Sequence, residues 1–520
     1  MDNVLIDPLI RAENTDGERL TLALPEVMAG LLNETLVSFP ALQPHQRHAW
    51  HAFLTQLAAM ALHHSGVEKP PLDAPSWQSL LRALTKAWPD DEPWKLVVDD
   101  LSKPAFMQPP VPENKLDAFK NIIPTPDGLD VLITAKNHDI KMTRIAHPHA
   151  DHWILALITL QTMEGFLGAG NYGIARMNGG FASRPAVGTR PGPLPGPHFR
   201  RDLDLLRLGR ETIHNEHHTL YHPERGFTLL WLEPWDGQSE LSLATLDPYF
   251  IEVCRRVRLT MGRNGPVANA APSKAARIHS KDLKGNLGDP WTPIRLDKEG
   301  GVSLTINESG FGYQLITDLL LESEGYRPSQ AQKMRFGKPA DHAEFLARAL
   351  ARGQGKTEGY HERRIPLPPI VRAKLGQPKE MDSLATVARK RVEQAGIVAK
   401  KALAPAILTM IQRAPGKLNF KDRRIDTWRH RFDQKVDALF FPSLWQSVQQ
   451  EADTANATWI ELLITIGKDL LLEAEESLIA GGGRHHKIAV VAEQVYRGSL
   501  RNQFPDHFTR KSQNTDKETA

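Results

Sequence analysis

The sequence predicts an α+β protein, with a large mixed α/β domain over residues 1–375, a C-terminal four-helix bundle over 376–510 and a disordered tail over 511–520. Three observations predict this division. Short β-type runs and helical segments are mixed through the first part of the chain. A stretch with Pro366, Pro368, Pro369 and Pro378 then breaks regular structure. Beyond it, only helical periodicity is found.

The predicted elements of the first domain follow from local patterns. Two β-type runs separated by turn residues predict an N-terminal hairpin, and apolar residues at three-four spacing predict helices further on. The runs of the hairpin are Val4–Ile6 and Leu20–Leu24, the helices are Gln46–His64, Trp77–Trp88 and Asp151–Phe166, and a core strand is predicted at Phe227–Leu232.

Four amphipathic segments separated by breaks predict the bundle. In the third segment, the apolar residues from Ile460 to Leu478 recur at the spacing of one helical face. The segments are Ser383–Arg413, Asp426–Glu451, Thr458–Ala480 and His485–Asn502.

Composition excludes several classes of protein. With 520 residues, 41% hydrophobic and 24% charged, the chain is long and apolar enough for more than one folded domain. The net charge of +3 excludes attraction of nucleic acid by bulk charge, so such binding needs local basic patches. The single cysteine, Cys254, excludes an internal disulfide framework and a Cys-rich zinc knuckle. Without an apparent signal peptide or long apolar run, a cytoplasmic protein with no membrane association is expected.

The octapeptide Arg352–Gly359 contains Gly-Lys-Thr, the end of a phosphate-loop motif. The motif is incomplete because Leu350 stands where its first glycine belongs, and because Ala343–Ala351 is predicted to be helical rather than a strand. A polar finger that touches a duplex is the alternative we favour, with phosphate and base contacts from Arg352, Gln354, Lys356 and Thr357. An ordinary solvated loop with no binding role is the other alternative.

A second glycine-rich segment, Gly170–Pro185, contains Asn178-Gly179-Gly180, which we call the glycine loop. Backbone without side chains can approach the minor groove closely, where adenine and thymine offer only acceptors and guanine adds a donor. Arg176, which precedes the loop, is predicted to contact DNA with it. A purely structural Ω-loop explains the same residues equally well.

Basic residues and histidines outside the glycine-rich segments supply further candidates. Arg389 and Lys400 are eleven residues, about three helical turns, apart on the first bundle helix, and would form a basic face for phosphates or simply a solvated face. Histidines cluster in two stretches without a metalloenzyme pattern, so we predict no metal site there. These histidines are His147, His149 and His152, and His214, His217, His218 and His222.

The order of these features resembles the large subunits of type I-E CRISPR Cascade complexes (CasA). The glycine loop comes first, followed by the Arg-Gly-Gln-Gly-Lys-Thr-Glu-Gly loop and then by the helical bundle. The resemblance spans nearly the whole chain. Further matches are Asn3–Pro8, Pro104–Gln108 and Asp289–Pro293. The resemblance implies a DNA-recognition protein with no catalytic site and no cofactor.

In this family the large subunit is expected to find the protospacer-adjacent motif in duplex DNA with a glycine loop, a wedge and a lysine finger. The resemblance implies that Asn178, Gly179 and Gly180 form the glycine loop, supported by Ser183 and Arg184, which are expected to contact DNA as well. The wedge would be Gln354 or Thr357. The lysine finger would be one of Arg277, Lys281 and Lys284.

A further loop of the family threads toward the 5′ end of the guide RNA and the backbone subunits. Its counterpart here would contain Lys136, Asn137, His138 and Lys141. The implied partners are the backbone, small and guide-end-binding subunits of Cascade, CRISPR RNA, double-stranded target DNA, and the helicase-nuclease recruited after R-loop formation. The alternatives are a phosphate-loop NTPase at Lys356, a histidine-metal hydrolase at His138 and Asp139 acting on nucleic acid, and a structural scaffold.

Overall fold

A computed structural model describes residues 2–130, 145–163, 170–179, 182–217, 219–298, 300–322, 325–334, 342–353, 356–413, 416–478 and 483–509. The chain divides into two compact units: Met1–Phe311 with Glu324–Leu367, and Gly312–Ser323 with Pro368–Ala520. The second unit thus takes one helix from within the region assigned to the first domain. The predicted tail at 511–520 lies outside the described residues.

The structure is mixed, as the α+β class requires, with helices and several small sheets. The strands are β1 (Ile10–Asn14), β2 (Arg19–Leu22), β3 (Leu36–Ser38), β4 (Asn121–Ile123), β5 (Ala186–Arg190), β6 (Phe227–Leu229), β7 (Leu241–Ser242), β8 (Leu246–Ile251), β9 (Arg256–Gly262), β10 (Gly265–Ala271), β11 (Ile278–His279), β12 (Ile294–Arg295), β13 (Val302–Ser303), β14 (Tyr326–Arg327), β15 (Glu344–Gly353) and β16 (Lys356–Pro366). The helices are α1 (Leu24–Leu32), α2 (Arg47–Ser65), α3 (Ala74–Leu84), α4 (Ala150–Met163), α5 (Pro195–Glu216), α6 (Tyr313–Leu320), α7 (Pro369–Leu375), α8 (Pro378–Ile397), α9 (Ala404–Gln412), α10 (Arg424–Ser447), α11 (Ala452–Leu478) and α12 (Gly483–Gln503).

Helix α2 runs through the core of the first unit. It contacts α3, α4, α5 and β8, and it is buried on almost every side from Ala52 to Leu62. A helix that is apolar around most of its circumference must be surrounded by other elements. The predicted helices over this region, and the one at Ala150, are confirmed within a few residues of their predicted limits.

A three-stranded antiparallel sheet, ordered β16–β15–β5, determines where the candidate site lies. Ala186 pairs with Arg348 and Arg190 with Glu344, while Gly353 pairs with Lys356. The start of β5, which follows the glycine loop, therefore lies beside the part of β15 that approaches the turn of the β15–β16 hairpin.

Two local predictions are wrong. Residues 344–351 form a strand rather than a helix, because β15 pairs on both sides and Phe345–Ala351 is buried continuously. A continuous apolar run does not distinguish a buried strand from a helix. At the N-terminus a hairpin exists, but its first strand is β1, whereas Val4 and Leu5 are buried in a turn before it.

The second unit contains the predicted helical bundle. The first predicted segment becomes α8 and α9 joined by a π-helical stretch, Val398–Leu403, and the other three become α10, α11 and α12. Arg391 is buried against the ring of Trp459 at 5.2 Å and donates to Ser443 Oγ at 3.2 Å.

The segment Pro378–Gln412 is long and apolar enough to cross a membrane, but 67% of its most apolar window is buried inside the protein, as in a core helix.

Candidate nucleic-acid interface

A buried network of four charges holds the segment before the glycine loop. Arg176 donates to Glu252 Oε1 at 3.1 Å and lies 3.6 Å from Asp289 Oδ2, and Arg184 donates to Asp289 Oδ2 at 2.6 Å. The backbone N–H of Ala175 also donates to Glu252, at 2.8 Å. Two positive and two negative charges are thus removed from water together, which is tolerable because they are paired and hydrogen-bonded.

Burial dominates the electrostatics of this network. Burial lowers the pKa of Arg184, and the charge of Asp289 opposes this shift. Burial also raises the pKa of Glu252, and the charge of Arg176 opposes that shift. Arg176 also packs over the ring of Phe250 at 3.8 Å. These arginines are therefore structural supports, and their burial does not fit the predicted direct contact with DNA.

The described part of the glycine loop, Asn178 and Gly179, reaches the surface. Asn178 is half-buried, and Gly179 is exposed with φ +71°. A Cβ on Gly179 would meet no atom of the described residues within 4 Å, so among these residues glycine is favoured by the left-handed backbone and not by crowding. Gly180 lies outside the described residues.

A turn over residues 281–285, which we call the lysine turn, packs against the base of the glycine loop. Lys281 is exposed, and Lys284 adopts φ +48°. A Cβ on Gly285 would lie 2.7 Å from the carbonyl carbon of Met177, the residue before Asn178. The fold thus places two segments about a hundred residues apart in sequence beside one another.

Of the three candidates for the lysine finger, the structure separates Arg277 from the others. Arg277 is 3% exposed, lies over the ring of Trp235 at 5.4 Å and donates to the carbonyl of Glu233 at 3.2 Å. Burial lowers its pKa to about 10, so it stays charged at neutral pH. Direct contact of Arg277 with a duplex does not fit this position.

The β15–β16 hairpin carries the predicted polar finger. Ser183 donates from Oγ to the carbonyl of Leu350 at 2.6 Å, which ties the chain after the glycine loop to the hairpin strand. Arg352 donates to Thr357 Oγ1, and Thr357 is fully buried. Ser183 and Thr357 are thus internal residues, contrary to the predicted contact with DNA. Gln354, between the two strands, and the side chain of Lys356 lie outside the described residues.

The hairpin also removes the phosphate-loop alternative. A phosphate loop joins a strand to the N-terminus of a helix, whose free N–H groups hold the phosphates. Here Lys356 begins a second strand, β16, that pairs with the first. The Gly-Lys-Thr sequence therefore lacks the structural context for nucleotide hydrolysis.

The predicted basic face of the bundle has exposed residues. Arg389 on α8 is exposed and donates from Nε to the carbonyl of Ala385 at 3.3 Å. Lys400, in the π-helical stretch, is exposed as well. Burial raises the pKa of Asp433 on α10, and the charge of Lys400 opposes this rise, so Lys400 has an acidic neighbour.

The histidine-rich stretches do not converge on a metal site in the described part of the chain. The backbone N–H of His149 donates to His152 Nδ1 at 3.0 Å, and the buried Nε2 of His217 has no described partner. A different group, distant in sequence, offers ligand atoms within 4.8 Å of one another: His51, His198 and Asp202. Sequence reasoning missed this group, as it missed the roles of Glu252 and Asp289, because no local spacing signals a partner a hundred residues away.

The predicted guide-end loop, with Lys136, Asn137, His138 and Lys141, lies outside the described residues. So does Asp139, the second residue of the hydrolase alternative.

Comparison with known proteins gives a match in structure alone. No family model matches the sequence, and no curated protein matches it. The solved structure of Cse1 from Thermobifida fusca is similar with a TM-score of 0.64 and 15% identity, covering 97% of this chain and 98% of that one. CasA from Thermus thermophilus is similar with a TM-score of 0.59 and 16% identity, covering 96% and 99%.

This chain has the CasA/Cse1 fold. The Cse1 structure from Acidimicrobium ferrooxidans agrees, with a TM-score of 0.61 and 14% identity over 97% of this chain and 99% of that one. A chain of a CRISPR RNA-guided surveillance complex is similar too, with a TM-score of 0.57 and 16% identity over 96% and 99%. The CasA/Cse1 fold thus accounts for both units of the chain, including the bundle.

Proposed function

We propose that this protein is the large subunit of a type I-E Cascade complex, which recognises the protospacer-adjacent motif in duplex DNA and starts strand separation. The observation that carries the proposal is the contact between Met177 and Gly285, which places the glycine loop beside the lysine turn. Together with the CasA/Cse1 fold over nearly the whole chain, this juxtaposition supports a composite DNA-reading surface.

The solvent exposure of each residue determines the role that we propose for it. Backbone groups at Asn178 and Gly179 are proposed to read the minor groove, where a shaped loop excludes base pairs with an unwanted exocyclic donor. Lys281 and Lys284 are proposed to hold phosphates beside the loop, since contacts to phosphate fix position without reading sequence. Arg176 and Arg184 act from beneath by fixing the base of the loop.

Gln354 is the proposed wedge, because the other candidate, Thr357, is fully buried. A Gln354→Ala variant is expected to retain selection of the adjacent motif but to form R-loops more slowly. The measurement is the rate of strand separation, followed by a fluorescent base in the first target positions. An unchanged rate would remove Gln354 from the wedge role.

The remaining parts of the proposal rest on the resemblance and the fold together. The other Cascade subunits and CRISPR RNA are the proposed partners, and the bundle face with Arg389 and Lys400 is proposed to lie along DNA phosphates. The protein itself is proposed to have no catalytic activity and to recruit a helicase-nuclease after the R-loop forms.

The deciding experiment uses the reconstituted complex and two glycine variants. Gly179→Asp places a negative side chain at the proposed groove contact, and Gly17→Asp is a matched control with φ +80° and equally open surroundings in the N-terminal turn. The first variant is expected to reduce affinity for duplexes with the correct adjacent motif by about tenfold or more and to abolish discrimination. Equal binding by both variants would contradict the proposal.

A further inference from the structure

A cavity of about 330 Å³ in the first unit lies where the first turns of α2 and α5 meet one face of the β16–β15–β5 sheet. Ligand sites typically have volumes of about 300–1,000 Å³, so one small organic ligand fits. Among the described residues that line it are four arginines and two histidines but no acidic side chain: Arg47, Arg190, Arg348, Arg364, His51 and His198.

The positive charge around the cavity is only partly compensated. Glu344 pairs with Arg190, and Glu362 is shared between Arg348 and Arg364. Among the described residues, two carboxylates thus pair with three of the four guanidinium groups, and Arg47 is the fourth. Burial lowers the pKa of Arg190, and the charges of Arg348 and Arg364 lower it further against the effect of Glu344.

Several donors that line the cavity have no partner among the described residues. Arg47 makes no hydrogen bond or ion pair with any of them, and Arg348, 6% exposed, donates only from Nε, to Glu362 at 2.8 Å. Trp50 is 3% exposed, and its buried indole N–H has no hydrogen-bond partner in the described part of the chain. Of these donors, the indole N–H of Trp50 is buried, whereas Arg47 is half-buried. A buried donor left unpaired is costly, so the indole N–H, together with the partly compensated guanidinium groups beside it, indicates a ligand with acceptors.

The other wall is aromatic and apolar. Phe39 meets Trp50 edge to face, with ring centroids 5.6 Å apart, and Phe199 and Leu54 complete the wall. A ligand that satisfies both walls carries an anionic group at one end and a flat or apolar group at the other.

The histidine side of the cavity also offers ligand atoms for a metal ion. However, Asp202 Oδ2 already accepts from His51 at 2.8 Å and from the indole of Trp291 at 2.8 Å. A dication would in addition be repelled by the arginines of the cavity, whereas an anion would be attracted. The charges therefore favour an anion.

We propose that this cavity binds a nucleoside phosphate, with the phosphate on Arg47 and Arg348 and the base against Phe39 and Trp50. The shared chemistry is one phosphorylated nucleotide, which could be free or could be the 5′ end of a strand. The proposal does not depend on recognition of the adjacent motif, because none of its residues belongs to the glycine loop or the lysine turn.

Calorimetry on the full chain tests the proposal with AMP, adenosine and inorganic phosphate. AMP is expected to bind, with adenosine and phosphate each at least about tenfold weaker. Arg47→Gln is expected to weaken AMP binding about tenfold, and the control Arg19→Gln, at an exposed arginine of β2 without a described partner, to leave it unchanged. Folding of both variants is checked by thermal melting.

A second arm compares a 5′-phosphorylated RNA trinucleotide with its 5′-hydroxyl form. Tighter binding of the phosphorylated form that is lost in Arg47→Gln would support a strand end as the ligand, while binding of AMP alone would support a free nucleotide. The proposal is overturned if AMP and the trinucleotides do not bind, if Arg47→Gln has no effect, or if Zn²⁺ binds through His198 and no nucleotide does. Selection of the adjacent motif by Arg47→Gln, measured separately, keeps this result distinct from the proposed function.

Discussion

Asp289→Asn would remove one charge from the buried network beneath the glycine loop. The carboxylate of Asp289 is fully buried and accepts from Arg184 Nε at 2.6 Å and from the backbone N–H of Trp291 at 3.0 Å. Arg176 lies 3.6 Å from the same carboxylate. After the substitution, the two arginines would share only Glu252.

The magnitude follows from the charge balance. One guanidinium would become a buried charge without its counter-charge, and breaking such a pair costs about 3–5 kcal/mol. An asparagine oxygen can still accept a hydrogen bond, so the lower end of this range is expected for Asp289→Asn. A protein is typically stable by only about 5–15 kcal/mol, so the loss should be easily measured.

The assay is urea unfolding followed by tryptophan fluorescence, with Asp16→Asn as the control at an exposed turn residue. The control is expected to change the unfolding free energy by less than about 0.5 kcal/mol. The double variant Arg184→Met/Asp289→Asn leaves one buried positive charge, on Arg176, and one buried negative charge, on Glu252. These charges compensate one another, so the double variant should be more stable than Asp289→Asn alone. Equal unfolding midpoints for Asp289→Asn and Asp16→Asn would refute the reasoning.

Three further predictions follow from single contacts. Gly285→Ala is expected to destabilise the protein by about 2–4 kcal/mol, since at φ +77° its Cβ would overlap Ser303 Oγ and the backbone of Met177, just before the glycine loop, and thermal melting measures this. Lys281→Ala should weaken DNA binding equally for all adjacent motifs and lower the slope of log affinity against log salt by about 1, as seen in titrations at several salt concentrations. Although burial opposes it, the hydrogen bond from His64 and the charge of Arg210 lower the pKa of Asp247 to about 2. The resulting stability of about 2 kcal/mol is present above about pH 4 and is lost between pH 4 and 2, so Asp247→Asn should show a flatter loss of unfolding free energy over this range.

The periodicity of apolar residues predicted the helices correctly, both where a helix buries one apolar stripe and where it is buried on almost every side. The predicted helix Gln46–His64 and the observed α2 differ by one residue at each end. The four helical segments after Pro366 were found as well, although residues 452–457, which lie between the second and third predicted segments, form the start of α11. Periodicity is a property of neighbours along the chain, so the sequence carries it directly.

The same reasoning was wrong for β15, whose alanines, leucines and arginines are good helix formers. Pairing with β5 and β16 overrode that preference, and those partners lie far away in sequence. The candidate site shows the same limit: the glycine-rich segments are evident as positions along the chain, but no local pattern indicates that Arg176 and Arg184 beside them are buried, since arginine is usually exposed.

The amino-acid sequence by itself determined the helical bundle, the core helices of the first unit and the glycine-rich segments, because each depends on spacing within a few turns. Only the tertiary structure decided that Arg176 and Arg184 are buried with Glu252 and Asp289, that Lys281 stays exposed, and that four arginines line one cavity. Burial and ion pairing depend on which distant segments the fold brings together, and no local pattern encodes that.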